Sequence, residues 1–421
     1  MNSILNWVIG GSKITNEIVQ RRTIKVLTAA QILNGVGVTG TVAAGSLLVS
    51  SISHSESLAG LAQTTAVLGA AAMALPLAKL TQRGGRRLAL STGYSVAVAG
   101  SIFAILGGVH RNLFLMLLGT FLVGAASASG YQARFAAIDL ASDAQRSKNL
   151  SFVVWGSTIG AVTGPNLMQP AGHLAQSLGL PRLVGPYLIS ASTLVFATLV
   201  ILILLRPDPF LVAHTISQAS GKKKHETTKA ALQHIRQNPE SLFAIAAVAI
   251  GHLAMVSIMV MTPVHMAHVD VTLRVIGLVI SVHVLGMYAF SPLVGSLSDR
   301  YGRMVVIRLG VLLLLCSAVI SGTASGMDSV RLGIGLFLLG LGWSLTLIGG
   351  STLLSESVDM SMRPSSQGAS DLVMNLVGAL GGASAGVIIG AFSYGWLCFF
   401  AAVPVLFLGL WSYRLTNKSM K

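Results

Sequence analysis

The chain has 421 residues, of which 53% are hydrophobic and only 10% are charged, and its mean hydropathy is +0.75. A soluble protein of this length needs far more charge to cover its surface, so the composition excludes an ordinary soluble domain and favours a membrane protein. The net charge is +15, which would suit nucleic acid. The basic residues are not gathered on one soluble face, however, so no nucleic-acid partner is expected.

Twelve apolar runs are each long enough to cross about 30 Å of hydrocarbon as a helix, and helices satisfy their own backbone groups in lipid. The runs fall into two groups of six, at 23–50, 57–78, 88–108, 112–135, 149–169 and 183–205, and then at 241–262, 274–296, 304–323, 329–351, 367–391 and 395–413.

This pattern predicts an all-α membrane protein with five parts. They are a cytoplasmic or interfacial segment 1–22, a six-helix bundle 23–205, a cytoplasmic linker 206–240, a second six-helix bundle 241–415, and a cytoplasmic tail 416–421.

The basic residues are distributed unevenly between the two sides. If the N-terminus is cytoplasmic, 24 of the 28 lysines and arginines lie in cytoplasmic segments and only four lie outside. Because cytoplasmic loops are enriched in Lys and Arg, this split predicts a multi-pass protein of the cell membrane with both termini inside. The two cysteines, Cys316 and Cys398, lie in apolar runs and suggest neither a disulfide framework nor a metal site.

The two groups of helices are related by an internal repeat of 217 residues. AKLTQRGGRR, from residue 78, aligns with GSLSDRYGRM, from residue 295, and the same offset carries Arg146 to Arg363. The aligned pairs include Arg83 with Arg300, Gly85 with Gly302, and Arg86 with Arg303. Parallel repeats of this kind occur in secondary transporters, whose substrate site lies between the halves.

The pattern Gly295-x-x-x-Asp299-Arg300-x-Gly302-Arg303 resembles the loop signature of the major facilitator superfamily, and the likeness covers essentially the whole chain. The resemblance implies twelve helices in two six-helix bundles and transport by alternating access, with Asp299 latching the halves in one state. Asp299 can accept hydrogen bonds at a neighbouring helix N-terminus, where an anion is favoured. The first copy carries Gln82 at the position of the acid, so its latch is expected to be weaker.

Gly160-x-x-x-Gly164-Pro165 in the fifth span resembles the antiporter signature of drug–proton exporters, although Met168-Gln169 replaces its usual continuation. The arginine expected in the fourth span of such exporters is replaced by Thr120. Glycines four residues apart let helix backbones approach closely, and that spacing serves either static packing or sliding.

Ionisable and amide side chains at bilayer depth are costly, so each is a candidate for cavity lining or coupling. His283 and His252 are candidate proton carriers, since imidazole titrates near physiological pH. Asp371 is expected either to carry a proton or to pair with an arginine such as Arg363. The full set of cavity and coupling candidates is Asn34, Arg134, Asp139, His252, His283, Asp371 and Asn375.

A stretch near the outer end of span seven combines soft ligands, which suit copper or zinc. Its members are Met255, Met259, Met261, Met266, His265, His268 and Asp270. Methionine is also a common apolar filler of helices, so no metal site is assigned.

These features predict a secondary transporter rather than an enzyme, since the chain has no phosphate loop or hydrolase motif, and no cofactor is expected. We predict a monomer that uses protons as coupling ion, contacts membrane lipid and exports small lipophilic or cationic organic substrates. The alternatives are ion-coupled uptake of a small metabolite, transition-metal transport, and a polytopic receptor or enzyme.

Overall fold

The computed structural model describes residues 2–55, 58, 60–219, 228–267, 271 and 273–419. Long helices account for most of this part of the chain, and no strand occurs in it. The helices, numbered α1 to α15, are Asn2–Ser53, Leu61–Val109, Leu113–Ala136, Arg146–Asn166, Met168–Ser177, Gly185–Leu204, Pro209–Ala219, Thr228–Gln237, Pro239–Ala267, Leu273–Tyr288, Ser291–Tyr301, Arg303–Gly322, Ser329–Glu356, Arg363–Ala391 and Tyr394–Ser419.

Helix α2 contains two of the predicted spans. Its 49 residues run through Gly85, whose φ of +82° lies outside the helical region, so the chain turns there between two helices. Gly302 has φ +93° and makes the equivalent turn between α11 and α12. Positive φ is strained for residues with a Cβ, which explains glycine at both positions of the repeat. The turns predicted around the paired loops are therefore present, although the first interrupts a continuous helical stretch.

Ten stretches of the described chain are long and apolar enough to cross a membrane. One of them is the whole of α2, which holds two spans, and α4 is a further helix of 21 residues outside the ten. The order of helices thus gives the twelve of the predicted fold.

Several boundaries differ from those predicted. Helix α1 passes without a break through the expected boundary at residues 22 and 23. The fifth predicted span, 149–169, is broken at Leu167, where α4 ends and α5 begins. The linker is not merely extended chain, because it contains the short helices α7 and α8.

Each half has its own apolar core, and a third cluster joins the halves. Leu27, Tyr94 and Leu194 are buried in the first half, and Phe243 and Leu339 in the second. The joining cluster combines Phe135, Ile138, Leu150 and Val154 of the first half with Val294, Val306, Leu345 and Ile348 of the second. It lies near the end of the bundle that carries the loops at 78–87 and 295–303, which we call the basic end.

The glycine-spaced faces differ between the halves. Gly160 packs directly on the backbone of Gly35 in α1, so this part of the antiporter-like motif serves packing within the first half. Gly164 likewise packs on Thr39. In α14, by contrast, a Cβ on Gly386 would meet no atom within 4 Å. Pro165 lies within α4, and its side chain is outside the described part of the chain.

Candidate functional site: a polar junction between the two halves

Two ion pairs at the basic end repeat the 217-residue offset. Arg86 donates to both carboxylate oxygens of Asp139, at 2.8 and 3.1 Å, and Arg303 lies 2.8 Å from Glu356. The first pair is fully buried, whereas Glu356 is 26% exposed. Burial raises the pKa of the Asp139 carboxyl, and the Arg86 guanidinium opposes that rise. Asp139 therefore belongs to this junction and not to a central cavity.

Asp299 lies where α11 of the second half meets the N-terminus of α4 in the first. Its carboxylate accepts hydrogen bonds from the backbone N–H groups of Ser147 and Lys148, at 3.0 and 2.9 Å. Arg303 lies 2.9 Å from the same carboxylate. This is the geometry expected of a residue that joins the halves in one state; its effect on transport stays a prediction.

Gln82 occupies the corresponding position on the other side of the junction. Its amide donates to the hydroxyl of Ser365 at the start of α14, at 2.9 Å. A neutral amide replaces an anion, so this contact lacks the charge assistance that Asp299 has.

Small residues allow the helices to meet at both places. Gly295 packs so closely on Ser147 and Ser151 of α4 that a Cβ would overlap them. On the other side, a Cβ on Gly368 would lie 2.6 Å from the side chain of Ala78. Ser151 and Gly368 are 217 residues apart, as are Ala78 and Gly295, so the two contacts are related by the repeat.

A second charge pair crosses directly between the halves. Arg134 of α3 lies 2.6 Å from Asp371 of α14, and both side chains are almost completely buried. The expectation that Asp371 pairs with Arg363 is therefore wrong. The fourth helix projects its arginine across the junction, and the guanidinium reaches the carboxylate there.

Two glutamines connect the two charge pairs. Arg86 donates to Gln132 at 3.1 Å and to Gln367 at 2.7 Å. Gln132 in turn donates to Asp371 at 2.9 Å. A continuous buried hydrogen-bonded network thus runs from Asp139 through Arg86 and Gln132 to Asp371. Since it holds two arginines and two carboxylates, its formal charges balance.

A cavity begins one helical turn from this network. Tyr131 lines the cavity and precedes Arg134 by three residues, and the Arg134 guanidinium lies 5.4 Å from its ring. Asn375 lines the cavity too, and its amide donates to the backbone carbonyl of Asp371 at 2.7 Å. Tyr131 and Asn375 therefore form a floor between the cavity and the Arg134–Asp371 pair.

The rest of the cavity lining carries hydrogen-bonding groups without formal charge. Its polar members besides the floor are Thr41, Gln63, Thr120, Ser127 and Tyr187. Thr65 and Thr120 share a hydrogen bond of 2.6 Å at its wall.

The histidines lie in the walls of the second half. His283 is fully buried, and its Nδ1 is 2.8 Å from the backbone carbonyl of Leu336. His252 accepts from the indole N–H of Trp343 at 3.1 Å and packs on Gly378. Neither histidine is among the residues that line the described cavity.

The remaining candidates lie at the edges of the site. Asn34 packs against Gly130, outside the lining of the cavity. Arg83 is exposed, and Arg300 is exposed with its guanidinium 5.3 Å from the ring of Tyr301. Both are placed to meet solvent or headgroups rather than the other half.

The metal alternative gains no support from the described residues, among which no group of three potential ligands occurs. His265 stacks on the ring of Tyr394 at 4.4 Å. His268 and Asp270 lie outside the described residues.

With this geometry in place, the comparison with protein families is decisive. The model described as Major Facilitator Superfamily matches residues 27–272 and 245–421. The chain belongs to the major facilitator superfamily. Its members are transporters and not enzymes, which agrees with the prediction from the paired loops.

Relatives and solved structures agree with this assignment. The chain is 37% identical to the uncharacterized MFS-type transporter YdeG of Bacillus subtilis over 89% of this chain and 87% of that protein. It is 27% identical to the riboflavin transporter RfnT of Brucella anthropi, over 86% and 87%. The E. coli transporter FucP, in its outward conformation, has a TM-score of 0.72 and 15% identity over 93% of this chain and 97% of that chain. The human organic anion transporter MFSD10 also has a TM-score of 0.72 at 15% identity, over 93% and 99%.

Four residues of the junction were missed by the sequence reasoning. Glu356 could have been found, because it lies 217 residues after Asp139. Gln132 and Gln367 have no counterpart in the repeat, and amides carry no distinctive sequence signal. Tyr131 gave no signal beyond its place one turn before Arg134.

Proposed function

We propose that this transporter moves an uncharged organic molecule rich in hydrogen-bonding groups, and that protons drive the movement through the Arg134–Asp371 pair. The observation that carries the proposal is the position of the cavity floor. Tyr131 and Asn375 face the cavity and are each one helical turn from the charge pair that joins the halves.

The lining supports the choice of substrate. Hydroxyl and amide groups can orient a ligand by hydrogen bonds, whereas an isolated cation or anion would need a counter-charge in so buried a site. The predicted preference for lipophilic or cationic compounds is thus replaced by one for neutral, polar compounds. The relative named as a riboflavin transporter makes a heterocycle of this kind a sensible first probe.

The charge pair supports proton coupling. A proton on Asp371 would remove the partner of Arg134 and weaken the junction, because a buried charge without a partner is strongly unfavourable. Substrate bound at Tyr131 and Asn375 would contact the same two helical turns. Proton and substrate would then bias the same equilibrium between junction closed and junction open.

We further propose that the basic end faces the cytoplasm of a cell membrane, with both termini on that side. The basic loops at this end support the orientation. The closed junction then seals the cytoplasmic side and leaves the cavity nearer the outer side.

The experiment is flux into proteoliposomes under an imposed pH gradient. The panel holds riboflavin, neutral sugars and nucleosides, the cationic dye ethidium and an organic anion. We expect flux of a neutral member to respond to the gradient; the direction of that response separates export by antiport, suggested by Gly160 and Gly164, from uptake by symport.

Two variants of neighbouring residues separate substrate recognition from coupling. Asn375→Ala should raise the KM while flux still responds to the pH gradient. Asp371→Asn should abolish the response to the gradient while counterflow exchange of substrate continues. Flux restricted to ethidium would contradict the proposed substrate class, and gradient-driven flux in Asp371→Asn would contradict the coupling.

A further inference from the structure

The beginning of the linker binds the first of the two loop turns. One oxygen of Asp208 accepts the backbone N–H of Arg87 at 2.7 Å. The other accepts the N–H groups of Phe210 and Leu211, at 3.0 and 3.2 Å. A single carboxylate thereby caps both α7 and the part of α2 that follows Gly85. Each cap places an anion where a helix N-terminus favours it.

The second turn has no such partner. A Cβ on Gly302 would meet no atom within 4 Å, whereas a Cβ on Gly85 would overlap the carboxylate of Asp208. The two glycines have similar φ angles, so the backbone of the turn does not explain the difference. The linker fills the first turn, on the side of the junction where Gln82 replaces the acid of the repeat.

The linker also packs behind the arginine that crosses the junction. Phe210 is fully buried, and its ring lies 5.8 Å from the guanidinium of Arg86. Arg86 follows Gly85 directly and reaches Asp139 in its own half and Gln367 in the other. The residue that Asp208 caps, Arg87, is the next in the chain. The linker therefore fixes both the backbone and the side chain of Arg86.

We propose that the linker is a working part of the junction, with Asp208 and Phe210 acting as positioning residues that hold Arg86 in its contacts with the second half. This contribution offsets the weaker contact of Gln82 and makes opening of the basic end depend on the linker. The inference rests on the proposed function, because it assumes that the junction opens during transport.

The test measures the distance between spin labels on the two halves. Labels are placed on Ser142→Cys and Asp359→Cys, which are exposed, belong to the basic end and are 217 residues apart, in a Cys316→Ala and Cys398→Ala background. Asp208→Ala removes the cap. Asp328→Ala is the matched control, because Asp328 caps α13 by accepting from the N–H of Arg331 at the opposite end of the bundle.

We expect Asp208→Ala to increase the ratio of open to closed basic end by about fivefold to tenfold, the range for loss of one charge-assisted hydrogen bond. Phe210→Leu should act in the same direction. Asp328→Ala should leave the ratio unchanged. Adding Gln82→Asp to Asp208→Ala should restore the closed distribution, since an acid at position 82 would meet the start of α14 as Asp299 meets α4.

A purely structural role would give a different result: a lower Tm for Asp208→Ala with an unchanged distance distribution. That outcome would overturn the inference, as would equal responses to Asp208→Ala and Asp328→Ala. Asp299→Asn serves as the reference for the proposed function. If it shifts the distribution and Asp208→Ala does not, the linker inference fails alone; if no condition or variant shifts it, the alternating junction itself is refuted.

Discussion

Replacing Asp299 by asparagine tests the contact that joins α11 to α4. The carboxylate accepts two backbone N–H groups and is only 9% exposed, so solvent screens it little. Asparagine keeps one acceptor oxygen and loses the charge. A hydrogen bond to a charged group contributes about 1.5–3 kcal/mol, so we take the loss as about 2 kcal/mol. Arg303 retains Glu356 and backbone carbonyls as partners, which confines the effect to the α4 contact.

A change of about 2 kcal/mol corresponds to about a 30-fold change in the ratio of open to closed junction. A state with the basic end open that is populated at about 1% would rise to about one quarter of the molecules. The label pair Ser142 and Asp359 resolves a population of that size as a second, longer distance. Asp328→Asn, at the opposite end, is the control. An Asp299→Asn distribution identical to that of the parent protein would refute the reasoning.

Two further predictions concern residues of the second half. Gly378→Ala should lower the Tm because its Cβ would lie 2.5 Å from the ring of His252, and overpacking costs about 1–3 kcal/mol, whereas Gly386→Ala in the same helix meets open space and should leave the Tm unchanged or raised. Thermal unfolding in detergent compares the two, and equal effects would contradict the packing assigned to α14. His283→Asn should leave the response of flux to a pH gradient intact, because the ring lies in a helix wall and not at the cavity; loss of that response with normal expression would return His283 to the coupling pathway.

Features that are local in sequence were well predicted, because periodic hydropathy and turn chemistry act over short distances. Gly85 and Gly302 were expected to make turns, and both adopt the positive φ that requires glycine. The repeat also placed Arg86 and Arg303 at equivalent positions. Extending the same offset to acidic residues would have revealed the pairing of Arg86 with Asp139.

The long-range contacts were not accessible in the same way. Asp371 and Arg134 come from different halves and are not related by the repeat, so the nearer Arg363 seemed the natural partner. The partner of His283 is a backbone carbonyl, which no residue pattern marks. Asp208 lies in a stretch that looked like a polar connection. Its role emerges only when the chain folds the linker against the turn at Gly85.

The central claim is that the basic end and the opposite end open in alternation. The direct measurement compares the basic-end pair Ser142 and Asp359 with a second label pair, His110→Cys and Met327→Cys, which are exposed at the opposite end and also 217 residues apart. Under low pH or with a transported substrate, the account predicts that one pair lengthens as the other shortens. Both pairs changing in the same direction, or neither changing under any condition, would contradict it.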